Sequence, residues 1–353
     1  MGGKGDKAAS FHEDSDMSAK LRWGILGTGN IARQFATGVK SSRRCSIAAI
    51  GSRSLETARD FAGQRDIPRA YGSYDELLAD RDVDAVYNSL PNSLHHEWTI
   101  KALRSGKHVL CEKPFTISLR ETVEMFDVAR QMNRALVEAF MYRSHPLTHA
   151  VLETIRSGAI GELRLIRTSF CYRTTKIAGN VRFAPELAGG ALMDVGCYCI
   201  NFSRLIAGAE PTSVLASARM HETGVDDVVA GTLHFPGDVL ATFAAGMSVQ
   251  ADNAAYVCGT EGYIEIPVPW KPPVNGAIYS ICRGIPPKQD NPKSTPSAPP
   301  RETRTVDAHF ELYGLEADDF AATVLDGKPP VVSEADTLGN MNVLDQVRRC
   351  IKL

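Results

Sequence analysis

The sequence predicts two packed units: an α/β domain with a parallel sheet, then an α+β domain with an open, predominantly antiparallel sheet. Three observations carry that expectation. Up to about residue 140 short apolar runs alternate with amphipathic helical stretches, the signature of strand-helix-strand repeats. Beyond that point long alternating runs joined by turns such as Phe235-Pro236-Gly237-Asp238 replace them, which is the pattern of a half-buried antiparallel sheet. Finally, 353 residues at 44% hydrophobic supply enough apolar side chain for two cores.

The parallel half begins with Leu21 to Leu26, a strand running into Gly27-Thr28-Gly29-Asn30-Ile31-Ala32 and then an amphipathic helix through Phe35 and Val39. Gly-x-Gly-x-x-Ala between a strand and a helix is a dinucleotide-binding fingerprint, so the first domain reads as a Rossmann domain. Gly27 permits the tight turn, Gly29 allows a pyrophosphate to approach, and Ala32 lets helix and strand pack closely. Thr28, Asn30 and Ile31 complete the turn. The second strand, Ser46 to Ile50, ends in Gly51-Ser52-Arg53-Ser54. No carboxylate stands there to bind an adenosine ribose. Ser52 and the Arg53 guanidinium suit a 2′-phosphate instead, so the expected cofactor is NADP.

Two more repeats lead to a strand at Ala85 to Leu90, followed by Pro91-Asn92-Ser93-Leu94-His95. Leu90, Pro91, Asn92 and His95 are therefore expected at the carboxyl edge of the sheet, where open α/β sheets bind ligands. The next strand closes on Glu112-Lys113-Pro114. A buried strand that stops on charge stops at a surface or a site, and the proline forces the turn that leaves the Lys113 amine at the same edge. Residues 21–142 are assigned to the dinucleotide domain, 143–353 to the substrate and oligomerisation domain, and 1–20, rich in Gly, Lys, Asp and Ser, to a disordered segment.

Within the second domain, Gly189 to Asn201 reads as the start of a helix reaching about Ile206. Asp194 and Tyr198, four residues apart, share one helical face with Asn201, while Leu192, Val195, Cys199, Phe202 and Ile206 can face the core. A tract from Gly284 to Pro300, dense in Pro, Lys and Ser, reads as an exposed loop, and helices near Phe310 to Leu325 and Glu334 to Ile351 close the chain.

Composition narrows the partners. With 39 basic against 41 acidic side chains, nothing predicts a nucleic-acid or membrane surface, and a small-molecule substrate is expected. Eight cysteines lie mostly in apolar runs without a Cys-x-x-Cys pair, so they read as reduced core thiols in a cytoplasmic protein, and no metal site is expected. No stretch approaches the roughly 20 apolar residues of a membrane span.

Taken together, Gly27-x-Gly29, Glu112-Lys113-Pro114 and the Gly189 to Asn201 segment resemble, in order and spacing, the glucose-fructose oxidoreductase, inositol dehydrogenase and rhizopine-catabolism family (Gfo/Idh/MocA). The resemblance covers nearly everything after Leu21. It implies a nicotinamide cofactor and substrate in the cleft between the domains, and homodimers or homotetramers formed through the C-terminal sheet. Asp194-x-Gly196-x-Tyr198-x-Ile200-Asn201 is similar to the aldose-active branch, which also contains aldose-aldose oxidoreductase and dimeric dihydrodiol dehydrogenase. The implied chemistry is hydride transfer between NADP and C1 of a cyclic aldose. Tyr198 would move the proton, Lys113 beside it would stabilise phenolate, and Asp194 would orient the sugar. The branch's Asn-x-Arg is present as Asn180-Val181-Arg182, which the resemblance places near the substrate pocket or in a role orienting its loop; Asn201, on the helical face of Asp194 and Tyr198, is a further substrate-binding candidate. Two other readings stay open at this point: a trans-dihydrodiol dehydrogenase, and a dinucleotide-sensing regulator without catalysis. Whether NADP exchanges or stays bound between two sugars is also open.

Overall fold

The computed structural model describes residues 20–284 and 299–353. The expected disordered segment, up to residue 19, and most of the expected Pro-rich loop, residues 285–298, lie outside the described residues. The first sheet is built from β1 (Leu21–Leu26), β2 (Cys45–Gly51), β3 (Arg69–Tyr71), β4 (Ala85–Asn88), β5 (His108–Glu112) and β6 (Leu136–Ala139). Between them run α1 (Asn30–Val39), α2 (Leu55–Gly63), α3 (Tyr74–Ala79), α4 (His95–Arg104) and α5 (Leu119–Gln131). Every strand pairing is parallel and the order is β3-β2-β1-β4-β5-β6. Helices cover both faces, which is why β4 and β6 are buried along their whole length. Local chemistry sets the helix starts: Ser54, Ser73 and Ser118 accept from the backbone N–H three residues on, capping α2, α3 and α5. The strand order reverses between β1 and β4. The crevice therefore opens at their carboxyl ends.

The second unit comprises α6 (Pro146–Arg156), β7 (Leu163–Cys171), α7 (Cys197–Ala207), β8 (Ser213–Met220), β9 (Asp226–Phe235), β10 (Val239–Gly246), β11 (Ala255–Gly259), β12 (Gly262–Ile266), β13 (Ala277–Arg283) and β14 (Arg301–Val306). α8 (Leu312–Asp326) and α9 (Glu334–Cys350) follow, and α9 opens with a capping box between Ser333 and Asp336. The sheet order is β14-β13-β12-β11-β7-β10-β9-β8, antiparallel except for the parallel β7–β10 pair. Along β8 and β10 the residues facing the helices are more deeply buried than those between them, and Leu215 and Leu240 stay exposed on the open face. α8 packs back on α1 of the first unit. A Cβ on Gly38 would lie 2.7 Å from the Tyr313 Cβ, so glycine there sets how closely the two helices approach.

Two expectations need correction. β14 was not anticipated, because Arg301-Glu302-Thr303-Arg304-Thr305-Val306 has no apolar alternation; as an edge strand it buries almost nothing and needs none. The Gly189 segment is also not one α-helix: Leu192–Gly196 forms a π turn before α7 begins. The carboxylate of Asp226, on β9, accepts the Leu192 N–H at 2.7 Å and anchors that turn. All eight cysteines are free, with only Cys350 exposed and Cys258 half-buried.

Candidate active site

A cleft of about 740 Å³ runs from the glycine turn after β1 to the π turn before α7. At its first end Gly27 has φ +95°, the left-handed region that glycine tolerates. Gly29 is the N-cap of α1 and offers no side chain to its amides, and a Cβ added to it would meet nothing within 4 Å. The helix N-terminus therefore opens directly on the cleft, flanked by Thr28, Asn30 and Ile31. Ser52 and Arg53 line the wall beside it with Gln34 and Tyr74. The acids lining the cleft among the described residues are Glu112 and Asp194, both far along it, so nothing at this end repels a phosphate. The residues present fit a dinucleotide.

Midway, Leu90, Pro91 and Asn92 follow β4 along the lip, and the Asn92 amide donates to the Ala188 carbonyl at 2.8 Å across the cleft. His95 also borders the cleft, but it is buried and its ring is held between backbone oxygens, Nε2 at 2.7 Å from Leu90 and Nδ1 at 2.9 Å from Pro114. It ties the Leu90 lip to the Lys113 turn. Burial lowers its pKa, against those carbonyls. His96, by contrast, pairs with Glu124 at the surface.

The other end gathers the charged groups. Glu112 is buried and accepts from the Tyr87 hydroxyl; desolvation pushes its pKa up despite Lys113 and Tyr87. Lys113 Nζ donates to the Asp194 backbone oxygen at 2.6 Å and lies 3.5 Å from Asp194 Oδ1. Asp194 Oδ2 accepts from the Tyr172 hydroxyl at 2.6 Å and from Arg182 Nε at 2.8 Å. Burial raises the carboxyl's pKa, but Lys113, Arg182 and Tyr172 outweigh it, so it stays below the ordinary carboxylate value. Burial likewise opposes the charge of Lys113, and attraction to Asp194 more than restores it.

Tyr198 lies against this pair inside an aromatic cage of Phe140, Phe170 and Trp270. Lys113 Nζ stands 5.0 Å from the centroid of its ring, over the face. The phenol oxygen points instead to Met141 Sδ at 3.3 Å. Desolvation, with Tyr313 and Glu112 adding to it, holds the phenol pKa well above its ordinary value. The expectation that Lys113 would stabilise a phenolate is not what this arrangement provides: the lysine faces the ring, and the hydroxyl keeps its proton.

Lys113, Asp194, Tyr198 and Arg182 thus converge. Asn180 and Asn201 do not join them. Asn180 accepts from the Arg182 N–H at 3.1 Å and shapes the turn that carries that arginine. Asn201 is wholly buried and accepts from the Tyr142 hydroxyl at 2.5 Å, beneath the cleft. Tyr172 and Lys271 are among the lining residues that the sequence reading missed. Lys271 carried a readable signal: like Lys113 it precedes proline and follows a strand, β12.

A parallel sheet whose edge carries an open glycine turn and a lysine, facing a carboxylate on the π turn and a tyrosine on α7 of the second unit, defines a two-domain NAD(P)-dependent oxidoreductase. Residues 21–140 match the oxidoreductase family with an NAD-binding Rossmann fold, GFO_IDH_MocA, and residues 148–265 match the GFO/IDH/MocA C-terminal domain. The chain belongs to that family. It is 39% identical over 281 residues to a trans-1,2-dihydrobenzene-1,2-diol dehydrogenase of Mus musculus, covering 75% of this chain and 84% of that one. Among solved structures it is similar to the 3-ketoreductase KijD10 of Actinomadura kijaniata in complex with NADP and TDP-benzene, at 31% identity and TM-score 0.84, covering 94% of this chain and 98% of that one. It is similar also to aldose-aldose oxidoreductase from Caulobacter crescentus complexed with glycerol, at 27% identity and TM-score 0.81, with the same coverage. Among the described residues no helix is long and apolar enough to cross a membrane, and no three His, Cys, Asp or Glu side chains cluster as metal ligands would.

Proposed function

We propose that this protein is an NADP-dependent oxidoreductase acting on the C1 hydroxyl of cyclic aldoses, with residues 21–142 binding the dinucleotide and 143–353 the sugar. The observation that carries the reading is the convergence of Lys113, Asp194 and Tyr198 at the inner end of a cleft whose outer end is the glycine turn and Arg53. Gly27, Gly29 and the N-terminus of α1 hold the pyrophosphate, and Ser52 with Arg53 holds the adenosine phosphate. When bound, the nicotinamide accepts or returns the hydride. Lys113 polarises the reacting oxygen, Asp194 keeps Lys113 charged and aimed, and Tyr198 hands over the proton as a neutral phenol. That protonation state suits carbonyl reduction, so sugar oxidation is expected to quicken as pH rises.

The test is the reduced-nicotinamide absorbance of the purified protein, with xylose or glucose, before and after adding NADP. A band of about one equivalent per chain without added nucleotide would support sugar-to-sugar transfer on retained cofactor. Steady turnover only after NADP is added indicates an exchanging dehydrogenase, and silence in both overturns the aldose reading. A second reading, trans-dihydrodiol oxidation, is favoured by the flat wall that Phe170 forms, stacked on Trp270 at 5.7 Å, against which a cyclohexadiene ring would lie. Turnover of benzene dihydrodiol but not of sugars would establish it. Leu215, Leu240 and Ile278, exposed on the open face of the second sheet, support a homodimer or homotetramer joined there, which sedimentation would test. A cytoplasmic location accords with the free thiols and is tested by fractionation.

A further inference from the structure

The inner end of the cleft carries more positive charge than the proposed chemistry uses. Lys113, Arg182 and Lys271 line it, against Asp194 and Glu112. Asp194 is fully engaged: Lys113 takes its backbone oxygen and approaches Oδ1, while Arg182 Nε and the Tyr172 hydroxyl take Oδ2. Glu112 is buried under the Tyr87 hydroxyl, and burial disfavours its ionised form. That leaves Lys271. Among the described residues it makes no hydrogen bond and no ion pair, although it lines the same cleft as two other cations. Its side chain is exposed to solvent, yet its pKa is lowered, first by partial desolvation on the cleft wall and then by Lys113, with Arg182 adding to it and Glu112 and Asp194 only partly compensating. Arg182 is bound to Asp194 through Nε alone, which leaves its terminal nitrogens for another acceptor. A cation held beside cations in a cleft is stabilised by an anion between them.

We propose that Lys271 and Arg182 form an anion subsite, and that the sugar bound in this cleft bears a carboxylate or a phosphoryl group away from C1. The proposal rests on the aldose reading and names the substrate class within it: sugar acids or sugar phosphates, rather than neutral sugars. Lys271 contributes as a point charge, and the Arg182 fork sets the orientation.

Glucose, glucuronate and glucose 6-phosphate share the C1 hydroxyl and differ at C6, so they separate the cases. The expected result is a kcat/KM at least about tenfold higher for one of the anionic sugars than for glucose, shrinking as salt is raised. Whichever anion wins identifies the source of the charge. In Lys271→Gln that ratio falls towards one, through KM. Equal turnover of all three sugars, or a ratio unchanged in the variant, overturns the subsite and leaves the aldose reading standing. A variant whose NADP dissociation constant rises about tenfold with the sugar ratio unmoved assigns Lys271 to the dinucleotide, and the proposal falls. Calorimetric titration of the NADP-loaded protein with glucuronate and with glucose 6-phosphate reads binding without chemistry. Lys271-dependent binding of either without turnover keeps the subsite and sinks oxidation at C1; no binding of either anionic sugar sinks the subsite.

Discussion

Lys113 Nζ lies 2.6 Å from the backbone oxygen of Asp194 and 5.0 Å from the centroid of the Tyr198 ring. One ammonium thus joins the edge of the parallel sheet to the π turn of the second unit. Its side chain is 12% exposed and that of Asp194 14%, so the pair is largely shielded from screening. Replacing Asp194 with Asn leaves Lys113 facing Arg182 with no intervening charge. The desolvation of Lys113 then loses its largest opposing interaction, its pKa falls, and the ammonium is lost at lower pH. The alkaline limb of the kcat/KM profile is expected to move to lower pH, with kcat down by about two orders of magnitude. Breaking a buried pair on one side also costs on the order of 3–5 kcal/mol, readable by urea unfolding. Asp194's depressed pKa means its contribution is complete above the ordinary carboxylate value of about 3.9 and is lost as pH falls through the folded value. An unmoved alkaline limb would show that Asp194 does not hold the lysine's charge.

Tyr198→Phe separates proton transfer from packing. The hydroxyl's partner is a thioether, Met141 Sδ at 3.3 Å, a weak acceptor, so its removal is expected to change stability by less than about 1 kcal/mol. Carbonyl reduction at neutral pH should fall by about 10²–10⁴-fold in kcat with KM little altered, because a positioned proton donor is gone. Full turnover in the variant would remove Tyr198 from the chemistry.

Asp226 gives the site a dependence on pH that is read in stability rather than rate. Burial pushes its carboxyl up to about 6, with Asp227 adding to the shift and the N–H groups of Leu192 and of Asp226 itself, and then Arg348, opposing it. The folded value lies above the unfolded value of about 3.9. The associated stability is therefore whole below about pH 3.9 and is lost as pH rises through about 6, a difference of roughly 3 kcal/mol. Asp226→Asn keeps an oxygen for the Leu192 N–H and does not ionise. Between about pH 4 and 7 the Tm of the wild type should fall relative to this variant; parallel Tm curves would show that the carboxyl does not titrate in that window.

The parts of the molecule that were legible before the structure are those encoded locally. Gly27, Gly29 and Ala32 carry their meaning within one turn, and Lys113 is fixed at the sheet edge by its own strand and proline. The alternation of β8 to β10 likewise reports a half-buried sheet without knowledge of its partner. What was not legible depends on distant contacts. The π turn is anchored by an acid on β9, 34 residues from Leu192. Asn201 shares a helix with Tyr198 yet is turned into the core by Tyr142, and the orientation of Lys113 over the Tyr198 ring exists only because the two units meet. β14 was invisible because an edge strand with polar residues on both faces leaves no periodic trace.

Under the proposed function, Arg53 sets the preference for NADP. It stands exposed at the end of β2 beside Ser52, where an NAD-specific site carries a carboxylate, and both lining acids are remote from it. A guanidinium on a 2′-phosphate makes charge-assisted, bidentate bonds of about 1.5–3 kcal/mol, so Arg53→Ala should raise the KM for NADP by about 10–100-fold. NAD lacks that phosphate, and its KM should move by less than about threefold. Arg53→Asp adds repulsion against the phosphate and an acceptor for the ribose hydroxyls, and should invert the preference. An equal rise in both KM values would mean that Arg53 contacts the part of the dinucleotide the two cofactors share, and the preference would then lie with Ser52 and the backbone beside it.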